Sequence, residues 1–220
     1  MIINHAHRFI FLHIPKTAGT AITSWLSRFT EWNDIELGGT AYGEAMQEVY
    51  GKRFRLHKHS PSWQVRKVIG HEVWNAYYKF AVVRNPFDRL VSAYEFYRCW
   101  DHPGVASVKA MPSFDEFLGS DYFARDRLNP SRATGSQAGF LGLGQGFEID
   151  RVCRFEHLAQ DLSAVAEELG LPAPDLTVSN ESQRAPLETY YTDERQRLVA
   201  DLYAEDFDAF GYAKRLPVHD

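Results

Sequence analysis

Two stretches of this chain repeat one pattern: a short apolar run, a polar turn, then apolar residues returning every three or four positions. The first begins Phe9-Ile10-Phe11-Leu12-His13-Ile14 and turns at Pro15-Lys16-Thr17. Ala18, Ile22, Trp25, Leu26 and Phe29 then mark one buried helix face. The second begins Phe80-Ala81-Val82-Val83, short and apolar enough for a strand covered on both faces of a parallel sheet. Asn85 suits the N-cap, Pro86 the first helical position and Asp88 the first turn, where negative charge is favoured. Phe87, Leu90, Val91 and Tyr94 complete that helix's stripe.

The rest of the pattern is coarser. Phe54-Arg55-Leu56-His57 reads as a short strand, and Ser60-Pro61 opens a helix through Trp63, Val65, Val68 and Ile69. Leu158, Leu162, Val165, Ala166 and Leu169 predict a helix stopped by Gly170 and Pro172. Leu198, Val199, Leu202 and Tyr203 predict another. From Asp101 to Asp150 the pattern loosens around one short helix at Phe114, Phe117 and Leu118. Long irregular segments in compact domains often carry function, which makes this the expected acceptor-binding insertion, about residues 100–150. The expected architecture is α/β: one domain over 1–220, three-layered, with a mostly parallel central sheet and helices on both faces.

The first turn carries the chemistry. A strand-to-helix turn aims backbone N–H groups and the positive end of a helix at one point, which suits an anion. Lys16 adds a mobile charge, Thr17 and Thr20 add hydroxyls, and Gly19 removes a side chain that would block close approach. The nucleotide-triphosphate loop needs a Gly-Lys-Ser/Thr ending, and Lys16 here precedes Gly19 instead. In the second stretch Arg84 ends the strand, at the sheet edge where open α/β folds bind ligands. An arginine fork suits phosphate better than a lysine point charge.

Pro15-Lys16-Thr17-Ala18-Gly19-Thr20 resembles the 5′-phosphosulfate loop of sulfotransferases that use 3′-phosphoadenosine 5′-phosphosulfate (PAPS). It is similar to the carbohydrate-type branch containing the heparan 2-O-sulfotransferase-like enzymes, whose fold is P-loop-like. Residues 79–97 resemble that family's 3′-phosphate site, which implies Arg84 and Ser92 as phosphate ligands. Weaker likeness runs through Arg151–Leu158, Tyr190–Asp193 and Tyr203–Tyr212. The resemblance implies PAPS as donor, no metal, and an acceptor hydroxyl on a glycan or glycoside. Lys16 would neutralise the leaving phosphate, with Thr17, Ala18, Gly19 and Thr20 holding the 5′ end.

The acceptor needs a base that works near neutral pH, which points to histidine. The Lys58-His59 pair before Ser60 resembles the family's base position, so His59 is assigned, followed by His57 and then His71. His13 belongs to the first strand and suits a core or supporting role. Two other classes stay open: a kinase or hydrolase with an atypical phosphate loop, and a non-catalytic nucleotide-binding protein.

Composition narrows the partners. The 220 residues carry a formal net charge of −5, which argues against bulk attraction to nucleic acid or acidic membranes. Two cysteines, Cys99 and Cys153, make no disulfide framework and fit a reducing compartment. No stretch is apolar and long enough to span a bilayer. Animal relatives of the resembled type carry an N-terminal membrane anchor, and its absence here leads to a cytoplasmic, bacterial member as the expectation. Gly142-Leu143-Gly144-Gln145-Gly146 lacks the strand and spacing of a dinucleotide fingerprint. His57 and His59 lack the Cys, Asp or Glu that would complete a metal site. Arg125, Arg127 and Arg132 read equally as saccharide contacts or solvated charges. Ser136, Gln137 and Asn180 to Arg184 fall where loops could reach the donor, without a motif that assigns them roles.

Overall fold

The computed structural model describes residues 1–175 and 184–217. The chain divides into two compact units, Met1–Val83 with Gly139–Thr177, and Arg84–Ala138 with Val178–Asp220.

The first unit is built on a five-stranded sheet of β1 (Ile2–Asn4), β2 (Phe9–Leu12), β3 (Ile35–Glu36), β4 (Tyr78–Val83) and β5 (Arg151–Arg154). Their order across the sheet is β3-β1-β2-β4-β5. Strands β2, β4 and β5 run parallel, with Leu12 beside Ala81 and Val82 beside Cys153. Strand β1 pairs antiparallel with β2 and with β3. The α/β class is as expected, and the sheet is mixed: parallel in one half, antiparallel in the other. The chain therefore leaves β2 and β4 at the same edge.

Alternate side chains of a strand face opposite sides of the sheet. Phe9, Ile10, Phe11 and Leu12 are all fully buried, so both faces of β2 are covered. One face packs Phe9, Phe11, Phe80, Val82 and Cys153 against α1 (Gly19–Leu26) and, later in the chain, a long helix over Leu158–Leu169. Ile22, Trp25 and Leu26 come from the first helix, Leu162, Val165 and Ala166 from the second. Each fully buried Phe, Leu, Ile or Val among them contributes about 1.5–3 kcal/mol. Three further helices follow α1 in this unit: α2 (Ala41–Phe54), α3 (Ser62–Ile69) and α4 (His71–Ala76).

The second unit is helical. It opens with α5 (Pro86–Cys99), whose N-cap Asn85 accepts a hydrogen bond from Phe87 N. Short helices α6 (Ala106–Lys109), α7 (Phe114–Leu118) and α8 (Asp121–Asp126) follow, and α9 (Gln137–Leu141) begins in this unit. The helix over Leu158–Leu169 is α10; α11 (Asp193–Leu202) and α12 (Ala204–Phe210) close the chain. The core gathers Phe87, Leu90, Tyr94, Phe117, Tyr191 and Phe207, with edge-to-face rings such as Phe87 on Tyr191 at 5.1 Å.

Three expectations need correction. Residues 54–57 form no strand: Phe54 ends α2 and Arg55, at φ 56°, closes it in the left-handed conformation. The strand expected to be the first, at Phe9–Leu12, is the second, because Ile2–Asn4 is itself a strand, and His13 lies just beyond the end of Phe9–Leu12. The stretch from Asp101 to Asp150 holds several short helices, each too brief for its apolar residues to show a period.

Candidate active site

The turn between β2 and α1 is strained where an anion cradle needs it to be. Lys16 at φ 68° and Ala18 at φ 62° occupy the left-handed region, while Thr17 between them does not. Residues with a Cβ avoid that region, and its retention by two of three neighbours needs a reason. Alternation of this kind turns successive backbone N–H groups inward into an anion-binding concavity. Helix α1 follows with Ala18 at its N-cap and no side-chain cap. Its first N–H groups have no intrahelical acceptor and stand at the positive end of the helix dipole.

The side chains of the turn divide their tasks. The hydroxyl of Thr17, almost fully buried, donates to Ile14 O at 2.9 Å and braces the loop. Thr17 therefore has its backbone N–H, rather than its hydroxyl proton, to offer a ligand. Lys16 and Ala18 are half-buried, and Thr20 is exposed. A Cβ on Gly19 would fall 1.9 Å from His13 Nε2. The bareness of Gly19 thus serves a neighbouring side chain, a reason the sequence did not show.

A tight turn holds His59. His57 N donates to Ser60 Oγ at 2.9 Å, and Ser60 N donates to His57 O at 3.0 Å. Lys58 ties the turn to α2, its N–H donating to Gln47 Oε1 and its ammonium to Glu44 Oε1 at 2.8 Å. His59 Nδ1 lies 2.9 Å from the carbonyl oxygen of His13. A carbonyl can only accept, so Nδ1 carries the hydrogen and Nε2 keeps the lone pair of a base. Burial pulls the His59 pKa down from 6.5 to about 3, opposed by the His13 carbonyl and aided by the charge of Lys58. The imidazole is neutral throughout the physiological range. The rings of His13 and His59 meet edge to face at 4.6 Å. His57 is half-buried, and His71 lies exposed at the start of α4.

Arg84 belongs to the second unit and is nearly buried. Its backbone is clamped by one side chain: Arg84 N donates to Gln137 Oε1 and Gln137 Nε2 donates to Arg84 O, both at 2.9 Å. Gln137 is positioned in turn by Asp206, a fully buried carboxylate. It accepts from Gln137 N and Ala138 N at 2.9 Å and from Ser136 Oγ at 2.7 Å. The Arg84 guanidinium donates through Nε to Asp88 Oδ2 at 2.6 Å. Arg184 reaches the same carboxylate, and donates to Asp88 O at 3.2 Å. Asp88 and half-buried Ser92 are four apart on α5 and share one face, and Arg84, just before the helix, reaches it through Asp88.

Sequence reasoning left Ser136, Gln137 and Arg184 without roles, because their function lies in contacts 50 to 100 residues away. Asn180 to Gln183 lie outside the described residues. Among the arginines of the central stretch, Arg132 lies 4.0 Å from Asp126 and Arg125 donates to Asp121 O at 3.1 Å. Among the described residues no group of His, Cys, Asp and Glu is arranged to hold a metal, and no helix is long and apolar enough to cross a membrane.

Fold and turn together define an α/β protein whose strand-to-helix junction has the backbone shape of an anion cradle, with a neutral histidine hydrogen-bonded to the residue that follows the strand. Residues 1–213 match the profile of the sulfotransferase family, and the chain belongs to that family. Sulfuryl transfer is accordingly the chemistry of its class. An uncharacterized protein of Archaeoglobus fulgidus is 28% identical over 112 residues, covering 51% of this chain and 83% of its own length. No solved structure matches the chain significantly.

Proposed function

We propose that the chain transfers a sulfuryl group from PAPS to an acceptor hydroxyl, on a carbohydrate of the kind used by the heparan 2-O-sulfotransferase-like branch. The single observation that carries the donor reading is the left-handed pair Lys16 and Ala18 at the uncapped start of α1. The backbone of Lys16 to Thr20 holds the 5′ phosphosulfate, and Arg84 with Ser92 holds the 3′-phosphate. Asp88 and Arg184 fix the guanidinium of Arg84 in advance, so less freedom is lost on binding.

The donor supplies a sulfur with a phosphate leaving group. His59 Nε2 takes the hydroxyl proton as the acceptor oxygen forms its bond to sulfur. The bond from sulfur to the bridging oxygen breaks, its electron pair stays on that oxygen, and the Lys16 ammonium meets the charge. The products are a sulfate ester and 3′,5′-adenosine bisphosphate, with the proton on His59. A base with a pKa of about 3 in the free protein becomes stronger as negative charge gathers beside it.

A groove of about 390 Å³ supports an anionic saccharide as acceptor. Phe54, Arg55, Trp63, Gln64, Lys67 and Val68 line it, with Phe54 and Trp63 exposed. Aromatic faces suit sugar rings, and Arg55 and Lys67 suit their carboxylates or sulfates. The short helices of residues 100–150 offer further acceptor contacts within the same single sulfotransferase domain. The test is incubation with labelled PAPS and a panel of acidic and neutral oligosaccharides and small alcohols. Label is expected on an acidic oligosaccharide; retention of all label in PAPS across the panel would contradict the reading.

A further inference from the structure

We propose that His13 is a positioning residue that couples the donor cradle to the base, an inference that rests on the assignment of His59 above. His13 follows β2 directly, where an apolar residue would serve a core equally well. Its ring is instead an imidazole, 5% exposed, with Nδ1 buried and lacking a hydrogen-bond partner among the described residues. Leaving such a nitrogen unpaired costs about 1–3 kcal/mol, which a leucine or phenylalanine would avoid.

The ring's neighbours explain its place. It stacks on Phe11 at 5.7 Å and 22°, and meets His59 edge to face at 4.6 Å and 75°. It also fills the space beside the Gly19 Cα, where a Cβ would come within 1.9 Å of Nε2 and 2.0 Å of Cδ2. The backbone carbonyl of the same residue accepts the His59 Nδ1 hydrogen. One residue thus accepts the base's hydrogen with its main chain and keeps the ring aligned for that bond with its side chain, so the tautomer depends on both. The same side chain rests against the first residue of α1. Burial keeps His13 neutral, its pKa well below 6.5, so it adds no charge against a protonated His59.

The coupling makes Gly19 and His13 non-additive. A methyl at position 19 must displace the ring, and the ring's other neighbours are Phe11 and the base. Once the ring is gone, the three closest contacts of that methyl go with it.

The experiment compares wild type, Gly19→Ala, His13→Ala and the double variant by calorimetry with 3′,5′-adenosine bisphosphate and by nitrogen spectra of the His59 imidazole. Wild type is expected to show one His59 tautomer, with hydrogen on Nδ1. Gly19→Ala is expected to mix the tautomers and to weaken the nucleotide about tenfold, the scale expected when a tightly packed anion contact shifts. Adding Gly19→Ala to His13→Ala is expected to change affinity less than about twofold, within ordinary additivity.

His13→Leu keeps the site filled should His13→Ala fold poorly, and is expected to mix the tautomers as well. A single Nδ1–H tautomer in both His13 variants, or an equal Gly19→Ala effect in both backgrounds, would overturn the coupling. A wild type that does not bind the nucleotide would instead count against the donor reading, and the tautomer comparison would still decide the role of His13.

Discussion

Lys16 combines two properties that a lysine rarely has together: a left-handed backbone and a position beside the uncapped start of a helix. The first shapes the turn, and the second places its ammonium where the proposed reaction would put the leaving group. Lys16→Ala is expected to lower kcat by about 10²–10³-fold, the usual cost of one preorganised transition-state contact, with little change in melting temperature. His59 makes a pH statement. Its pKa falls from 6.5 unfolded to about 3 folded, so the unfolded chain binds the proton first. Stability is full above pH 6.5 and is lost progressively as the pH falls from 6.5 towards about 3. Thermal melts across that window should show the decline, and His59→Gln should lessen it, with buried His13 supplying the remainder; an unchanged slope would show that other groups govern acid unfolding. Lys16 to Thr20 and His59 stood out in the sequence as candidates because each lies in a short local motif. The inward turn of the Thr17 hydroxyl and the His13 ring against Gly19 were hidden, since each depends on folded contacts.

At the scale of elements, the junction from β4 to α5 was legible because Asn85, Pro86 and Asp88 announce a helix start whatever surrounds them. What secures Arg84 was not legible. Its main chain depends on Gln137, 53 residues on, and Gln137 on Asp206, a further 69. Gln137→Ala is expected to remove both hydrogen bonds to the Arg84 main chain, at a cost of about 2–6 kcal/mol for two buried groups. Nucleotide affinity should fall with it, measured by denaturant melts and calorimetry on the same variant. Asp206→Ala strips acceptors from three donors and should destabilise the second unit at least as much. Helix α2 escaped the pattern because only Gly43 is buried along it, leaving almost no apolar stripe to read.

The whole molecule carries a net charge of −5, so the polyanionic donor proposed above would be held by local hydrogen-bond donors rather than by the overall field. The α/β class was readable from two strand-to-helix junctions. The antiparallel half of the sheet was not, because β1 and β3 are three and two residues long and too brief for alternation to register. Calorimetric titration of wild type, Lys16→Ala and Arg84→Ala with 3′,5′-adenosine bisphosphate tests the central claim most directly. Each variant is expected to bind about 10–100-fold more weakly than wild type, the loss of one charge-assisted contact, while remaining folded. Equal affinity in all three proteins, or none in wild type, would contradict it.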